Sequence, residues 1–451
     1  MSPRNNDDSP ALPDAPTTTA AAVPVRSPLL IYALLGGMMF FEYAIWGAWM
    51  PVLSGTLAER GVAPVQIGAV YSAFWFACIL SPLLGGQLVD RFIPGPWFLA
   101  LTQFLAAGVA WWTAQQTTVE TLTGGMFVWS LLFAPSLGIT NSIAFAQIDR
   151  TATSEATRER IFAVIRMLGS IGWIAAAFLR LGLIPLANYD ATGKTGTISE
   201  LALTALLGLC MAVFVLFLPA APPKVAAPEK AGETADPLAF RRAFAMFKTV
   251  PGFTVFLFIS FIAATEFQFF YLLSAPFLQD LSIPNQFVPV VKSISQVTEI
   301  LALSILLPLW LPKKGMKWCL LVGSLVWPLR YLIFAVQKPV WLVVLSLGLH
   351  GFGYAFVLVV QQLYVDRVAP RDIRASAQSL LTLVTLGFGN FLGTLFCGAI
   401  QQAFTVNGKT NWPPVFLLPA VLTLLCALAY AKTFREPHGS ETQPAPGEAT
   451  A

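Results

Sequence analysis

The sequence predicts an all-α membrane protein with twelve transmembrane helices in two six-helix halves and both termini in the cytoplasm. Of its 451 residues, 56% are hydrophobic and only 11% are charged, whereas about a quarter of the residues in an average soluble domain are charged. The mean hydropathy is +0.69. This composition excludes a soluble or disordered chain. A net charge of +4 is too small to indicate a nucleic-acid partner.

Apolar runs of membrane-spanning length, or close to it, recur along the chain, and a helix must cross about 30 Å of hydrocarbon. The predicted spans are 29–53, 67–89, 97–114, 122–148, 161–183 and 201–218, followed by 253–277, 287–309, 318–336, 340–365, 379–400 and 415–431.

The orientation follows from the loops. With an even number of spans, both tails and five loops lie on one side, and they carry nineteen Lys and Arg residues against four on the other side. The positive-inside rule therefore places both termini in the cytoplasm.

A Pro/Ala-rich segment divides the chain into two halves of similar length. The predicted organisation is a disordered cytoplasmic tail, an N-terminal six-helix bundle, a cytoplasmic linker, a C-terminal six-helix bundle and a second disordered tail, at 1–28, 29–220, 221–249, 250–432 and 433–451. The linker ends in LAFRRAFAMFK, which predicts a short helix on the membrane surface. Two such halves around a central cavity are typical of transporters, although composition alone also permits a channel, a membrane enzyme or a receptor.

No pattern for metal, cofactor or catalytic chemistry is found. The five cysteines lie in apolar runs without a CxxC pair, and the chain has two histidines. We therefore predict no metal site, no cofactor and no catalytic residues, and hence not an enzyme.

The loop after the second predicted span reads GGQLVDRF. Gly86, Asp90 and Arg91 resemble the signature that the major facilitator superfamily carries at this place, where it acts in conformational change. The alternative is an ordinary Asp–Arg pair in a cytoplasmic loop. KKGMK occupies the matching place in the second half.

Ionisable residues inside apolar spans are costly and therefore indicate function. Arg166 has Ser170 and Trp173 on the same helix face, so this face offers a cation, a hydroxyl and an aromatic ring. That combination suits a polar solute with a ring. The alternative is a structural arginine paired with an acid.

The eighth predicted span places Gln296 and Glu299 on one face, with Lys292 one turn away. A carboxylate near the midplane is expected to be neutral unless it is paired, here with Arg166 or Lys292, and such a group can carry a proton. The alternative is a static Glu–Arg pair.

Four more polar side chains are candidates for a binding site. Gln268 and Tyr271 share a face of the seventh span, and His350 and Tyr354 lie one turn apart in the tenth. For His350 the alternative is a hydrogen bond to a neighbouring helix.

Four further charged residues lie in or near the predicted spans. Glu42 lies in the first span with Trp46 and Trp49 on its face. Near the ends of spans, Arg180, Arg330 and Lys338 are expected to extend to the membrane surface without a chemical role.

Seven fragments in order resemble the nucleoside:proton symporter family of the major facilitator superfamily, over roughly residues 40–434. The fragments are IWGAW, IGAVYS, APSLGITNSIAF, IRMLGSIGW, SISQVTE, WPLRYLIFA and RASAQSLL. The resemblance implies a central cavity that holds a nucleoside while a proton moves inward with it.

The resemblance also implies roles for individual residues. Arg166 occupies the position of the family's binding arginine, Gln268 matches its glutamine, and Gln296 and Glu299 match its SISQxxE motif. Five positions differ in residue type from the family pattern: Ser170 for threonine, Trp173 for phenylalanine, Tyr271 for asparagine, His350 for tyrosine and Tyr354 for phenylalanine.

A further difference concerns the proton. The family has an aspartate where this chain has Ala355, whereas Glu42 replaces a glutamine and Lys292 an apolar residue. We hypothesise that Glu299 or Glu42 is the protonatable group. Loss of coupling or a changed substrate are the alternatives.

The predicted function is thus secondary active transport: a monomer in the inner membrane of the cell imports nucleosides by alternating access, coupled to protons. The alternatives are a carrier for a sugar or related metabolite, an uncoupled nucleoside facilitator, and a sensor that binds without transport.

Overall fold

The structure, a computed structural model, describes residues 27–81, 93–150, 154–183, 197–219, 245–250, 252–370 and 374–434. Gly86, Asp90 and Arg91 lie outside these residues, as do both predicted tails almost entirely and most of the predicted linker. Of the predicted surface helix, residues 245–249 are described, and they are helical.

The described chain is helical apart from one short hairpin. In the N-terminal segment (27–219) the helices are α1 Pro28–Trp49, α2 Leu53–Glu59, α3 Pro64–Ser81, α4 Gly95–Ala114, α5 Val119–Phe133, α6 Ser136–Ile148, α7 Glu155–Leu183 and α8 Ser199–Phe214, with a 3₁₀ turn at Val215–Phe217.

In the C-terminal segment (245–434) the helices are α9 Phe253–Tyr271, α10 Ser274–Asp280, α11 Val288–Leu301, α12 Leu307–Val336, α13 Val340–Ser346, α14 Leu349–Gly353, α15 Val360–Val368, α16 Arg374–Thr382, α17 Asn390–Ala403 and α18 Trp412–Thr433, with a 3₁₀ turn at Asn285–Phe287. The strands β1 Thr405–Val406 and β2 Lys409–Thr410 pair antiparallel, with Thr405 opposite Thr410.

Three stretches of the C-terminal segment are π-helical and join consecutive α-helices. They are Ala302–Leu306 between α11 and α12, Tyr354–Val359 between α14 and α15, and Leu383–Gly389 between α16 and α17. A π-helical turn inserts an extra residue into a helix and is often found at functional sites.

Ten helical segments among the described residues are long and apolar enough to cross a membrane. One of them, Asn285–Val336, has 52 residues and would measure about 78 Å as a straight helix. Gly315 interrupts it with φ 81° and ψ 171°. Pro64–Leu80 is a shorter apolar helix. The prediction of an all-helical membrane protein is thus confirmed.

Some predicted spans are interrupted by short breaks. The predicted span 122–148 consists of α5 and α6, which are separated at Ala134 and Pro135. Proline has no N–H to continue the helical hydrogen bonds. The predicted span 97–114 agrees with α4 to within two residues.

Glycines allow close helix crossings at two places that position polar residues. A Cβ on Gly172 of α7 would lie 2.1 Å from the Phe40 carbonyl oxygen of α1, and one on Gly351 of α14 would lie 2.2 Å from the Glu299 backbone nitrogen. Any larger residue would push these helices apart. The first crossing fixes α7 against α1, and the second fixes α14 against α11.

The two segments meet through a group of polar residues that we call the polar seam: Thr56, Glu59, Gln279 and Asn285. The Asn285 amide donates to Thr56 Oγ1 at 3.0 Å and to Glu59 Oε2 at 3.1 Å, and the Gln279 amide donates to Glu59 Oε1 at 3.1 Å. The seam therefore joins α2 to the end of α10 and to the 3₁₀ turn that precedes α11.

Candidate functional site

Arg166 lies on α7 and is half-buried. Its guanidinium carbon is 3.8 Å from the centre of the Tyr43 ring on α1, which is a cation–π contact. It interacts electrostatically with Glu299 and Tyr354 of the C-terminal segment. The arginine therefore faces the other segment, supported from behind by Tyr43.

Trp173, two turns further along α7, reaches across to the C-terminal segment. Its ring centre is 5.5 Å from that of Trp46 and 6.5 Å from that of Tyr271, both edge-on. Ser170 lies between Arg166 and Trp173 and is half-buried. The predicted face with a cation, a hydroxyl and an aromatic ring thus lies at the junction of the two segments.

Gln296 and Glu299 on α11 are 7% and 6% exposed. Glu299 interacts electrostatically with Arg166 without forming an ion pair in the described part of the chain. Lys292, the other predicted partner, instead donates to the Pro51 carbonyl oxygen at 2.9 Å and to that of Tyr271 at 3.4 Å. Of the two cations predicted to face Glu299, it is thus Arg166 that does so.

Tyr271 and Tyr354 are half-buried on the C-terminal side of the junction. Both interact electrostatically with Glu299. Tyr354 begins the π-helical stretch that follows α14. The four residues Arg166, Trp173, Glu299 and Tyr271 are therefore brought together from three helices.

His350 is fully buried. Its ring stacks on Phe270, with ring centres 4.2 Å apart, and its nitrogens lie 3.3 Å from Tyr271 Oη and from Arg330 Nη1. His350 thus makes the hydrogen bonds to neighbouring helices that one of its two interpretations expects, and its role towards a ligand stays a prediction. His350 lies behind Tyr271.

Gln268 is also fully buried. Its amide nitrogen donates to Asn390 Oδ1 of α17 at 2.8 Å, and its amide oxygen has no hydrogen-bond partner among the described residues. One end of this side chain is thus fixed, while the other retains an unused acceptor.

Glu42 is fully buried in the N-terminal segment. Ser136 Oγ donates to its Oε1 at 2.6 Å, and it interacts electrostatically with Arg166. Glu42 is therefore tied to α6, whereas Glu299 accepts no hydrogen bond in the described part of the chain.

The expectation that Arg180 and Arg330 extend to the membrane surface is wrong, because both are 1% exposed. Arg180 pairs with Glu200 at 3.4 Å and donates to the Asn285 carbonyl oxygen at 3.4 Å. Both arginines have partners on other helices, which span position does not indicate. Lys338 is exposed, as expected.

Sequence reasoning missed Arg330 and Tyr43. Arg330 lies over Phe270 at 4.6 Å, donates to the Tyr331 hydroxyl at 3.2 Å and interacts electrostatically with buried Glu266. The signal was present, since an arginine within the apolar WPLRYLIFA motif is costly unless it has partners.

The junction combines a half-buried arginine, aromatic rings and a carboxyl group. Such a site can hydrogen-bond the edges of a polar ring and stack on its face. Within the described residues, no group of three or more His, Cys, Asp or Glu side chains is placed to hold a metal ion.

Most of this chain matches a known protein family. The family model described as "Nucleoside H+ symporter" matches residues 30–439. YegT of Escherichia coli (strain K12), which is named as a nucleoside transporter, is 33% identical over 416 residues, covering 90% of this chain and 94% of YegT. The nucleoside permease NupG of the same organism is 28% identical, with 89% and 95% covered.

Solved structures show the same architecture. The crystal structure of NupG superimposes with a TM-score of 0.76 and that of a NupG mutant with 0.79, each at 27% identity and covering 90% of this chain and 100% of the other. The D-xylose-proton symporter, at 14% identity, shares the fold with a TM-score of 0.69 and covers 91% of this chain and 98% of the symporter.

Proposed function

Since this chain belongs to the nucleoside H+ symporter family, a family of multi-pass membrane transporters and not of enzymes, we propose that it imports nucleosides together with protons by alternating access. The observation that carries the proposal is the junction itself, where Arg166 and Trp173 of one segment face Glu299 and Tyr271 of the other. A solute bound there is held by both segments at once.

The proposed topology has twelve spans. Ten segments qualify directly, the break at Gly315 divides the 52-residue segment into two, and the short apolar helix at Pro64–Leu80 adds one more. We place both termini in the cytoplasm, the linker at 221–249 between two six-helix bundles, and the protein in the bilayer as a monomer.

In the proposed binding site, Arg166 and Ser170 donate hydrogen bonds to the solute, and the rings of Trp173 and Tyr354 stack on it. Gln296, Glu299 and Tyr271 complete the polar wall, and the free amide oxygen of Gln268 supplies an acceptor. His350 acts on the solute through Tyr271, to which it is hydrogen-bonded. The same chemistry suits the ribose hydroxyls and the base of a nucleoside.

Alternating access requires one end of the molecule to close while the other opens. We propose that the polar seam closes the outer end. The seam includes residues of α2, which lies between α1 and α3 and is therefore on the outer side when the N-terminus is cytoplasmic. Gly86, Asp90 and Arg91 would act at the opposite end.

For the proton, we propose Glu299. Glu299 and Glu42 both interact electrostatically with Arg166, but the Glu42 carboxyl group already accepts a hydrogen bond from Ser136, and Glu299 lies across the junction from the arginine. A carboxyl group whose cation can be taken by a substrate changes its protonation with occupancy, which is the requirement for coupling.

The test is uptake of labelled uridine and adenosine into proteoliposomes, with and without an inward proton gradient. Accumulation above the external concentration that depends on the gradient is the expected result. Absence of uptake by folded protein would contradict the nucleoside assignment.

An uncoupled nucleoside facilitator is the second candidate, and it is favoured by one observation: the buried position 355, where the resemblance implies an aspartate, is an alanine. Equilibration of uridine without accumulation in the same assay would identify it.

A further inference from the structure

Arg330 is the starting point of a hydrogen-bond chain that leads towards the junction. Its side chain is 1% exposed. Nη1 lies 3.3 Å from His350 Nδ1, Nη2 donates to the Tyr331 hydroxyl at 3.2 Å, and the guanidinium carbon lies 4.6 Å from the centre of the Phe270 ring. The guanidinium is therefore held on several sides.

The chemistry of arginine fixes the tautomer of His350. A guanidinium carries only donors, so His350 Nδ1 must accept the hydrogen bond from Arg330. A neutral imidazole has one N–H, and with Nδ1 as acceptor the hydrogen lies on Nε2. The ring cannot turn freely, because it stacks on Phe270 with an interplanar angle of 19°.

The direction of the next hydrogen bond follows. His350 Nε2 lies 3.3 Å from Tyr271 Oη, and since this nitrogen carries the hydrogen, the Tyr271 hydroxyl accepts. The hydroxyl hydrogen of Tyr271 must then point away from His350. Tyr271 is half-buried, its ring meets Trp173 edge-on, and it interacts electrostatically with Glu299 and Tyr354.

We propose that Arg330, acting through His350, positions the Tyr271 hydroxyl as a hydrogen-bond donor to an acceptor oxygen or nitrogen of the bound nucleoside. Arg330 and His350 are thus positioning residues, and Tyr271 makes the contact. This inference rests on the proposed function, since it assigns a donor within that site.

The first test reads the tautomer directly. The chain has two histidines, so ¹⁵N-histidine labelling of the full protein gives two sets of ring signals, and a His438→Gln variant identifies those of His350. The expected result is hydrogen on Nε2 and none on Nδ1. Hydrogen on Nδ1 would overturn the proposal, and this measurement needs no change at position 350.

The second test measures uridine binding by purified full-length variants. Tyr271→Phe is expected to weaken binding about 2- to 10-fold, as loss of one neutral hydrogen bond does. His350→Phe keeps an aromatic ring and is expected to weaken binding by a similar factor. The double variant should be no weaker than either single variant, because both changes remove the same donor.

Two further variants separate positioning from general stability. The side chain in His350→Gln has an oxygen to accept from Arg330 and an N–H to donate to Tyr271. This variant is therefore expected to bind uridine within about twofold of the natural protein. Tyr331→Phe removes a different hydroxyl from the same guanidinium and should leave binding unchanged.

The proposal would be overturned if the losses of uridine affinity in Tyr271→Phe and His350→Phe multiplied in the double variant. Normal binding by Tyr271→Phe would also overturn it. If His350→Phe does not fold, the tautomer of His350 and the binding by Tyr271→Phe decide. Failure of the natural protein to bind uridine would instead contradict the proposed function.

Discussion

Arg166 and Arg330 are both arginines within apolar helices, one in each segment, but their surroundings differ. Arg166 is half-buried over Tyr43 and directed at residues of the other segment. Arg330 is 1% exposed and is occupied by His350, Tyr331 and Phe270 of its own segment. Whether a membrane arginine is available to a ligand therefore depends on how many of its donors are already in use, more than on the residue type.

The largest expected effect of a single substitution on stability is at Arg330. We expect Arg330→Met to lower the free energy of unfolding by about 1–3 kcal/mol, because it removes the donor that His350 Nδ1 needs in its buried position. Thermal unfolding in detergent measures this. An unchanged unfolding temperature for Arg330→Met would show that the arginine is not structural.

At Arg166 the effect should appear in binding. We expect Arg166→Met to weaken uridine binding by about 10- to 150-fold, as loss of a hydrogen bond from a charged donor does, with little change in unfolding temperature. Arg166→Lys retains the charge but not the planar pair of donors, so an intermediate affinity is expected. If instead Arg166→Met unfolds readily and the folded fraction binds normally, the two arginines have the same role.

The sequence predicts features that depend on a residue and its neighbours in the chain, but not those that depend on how distant helices pack. The spans follow from composition, and α4 agrees with its prediction because a helix in lipid must satisfy its own backbone. Arg166 follows from the cost of a charge in an apolar run. The surroundings of His350 and Arg330 do not follow, because they depend on how α9, α12 and α14 pack.

The buried acids Glu299 and Glu42 are also expected to differ in their roles. We expect Glu299→Gln to abolish accumulation of uridine driven by a proton gradient while exchange of uridine across the membrane continues, because an amide cannot take up the proton. Glu42→Gln should still accumulate uridine, since Gln can also accept the hydrogen bond from Ser136. Accumulation by Glu299→Gln in proteoliposomes would remove Glu299 from the proton role.

Arg180 represents a third case, since it donates across the segments to the Asn285 carbonyl. Asn285→Ala keeps that carbonyl and removes only the two hydrogen bonds that the Asn285 side chain donates in the polar seam, to Thr56 and Glu59. We expect a change of about 1 kcal/mol in the balance between closed and open outer ends, the smallest effect of the four.

Spin labels at Val65→Cys and Gln286→Cys, in a background without the five natural cysteines, report this balance as a distribution of distances. The expected result is a larger population at long distance in Asn285→Ala than in a control variant, Gln115→Ala, at an exposed position after α4 that is not part of the seam. Identical distributions would mean that the seam does not hold the segments together.

The π-helical turn at Tyr354–Val359 has a consequence for the register of the helix that contains it. Each residue turns an α-helix by about 100°, so the extra residue rotates everything after the turn relative to everything before it. His350 lies before the turn, and Gln361, which donates to the Tyr430 hydroxyl at 2.9 Å, lies after it. Deleting one residue from this turn would restore a regular helix, and either the junction or the packing against α18 would then face the wrong way.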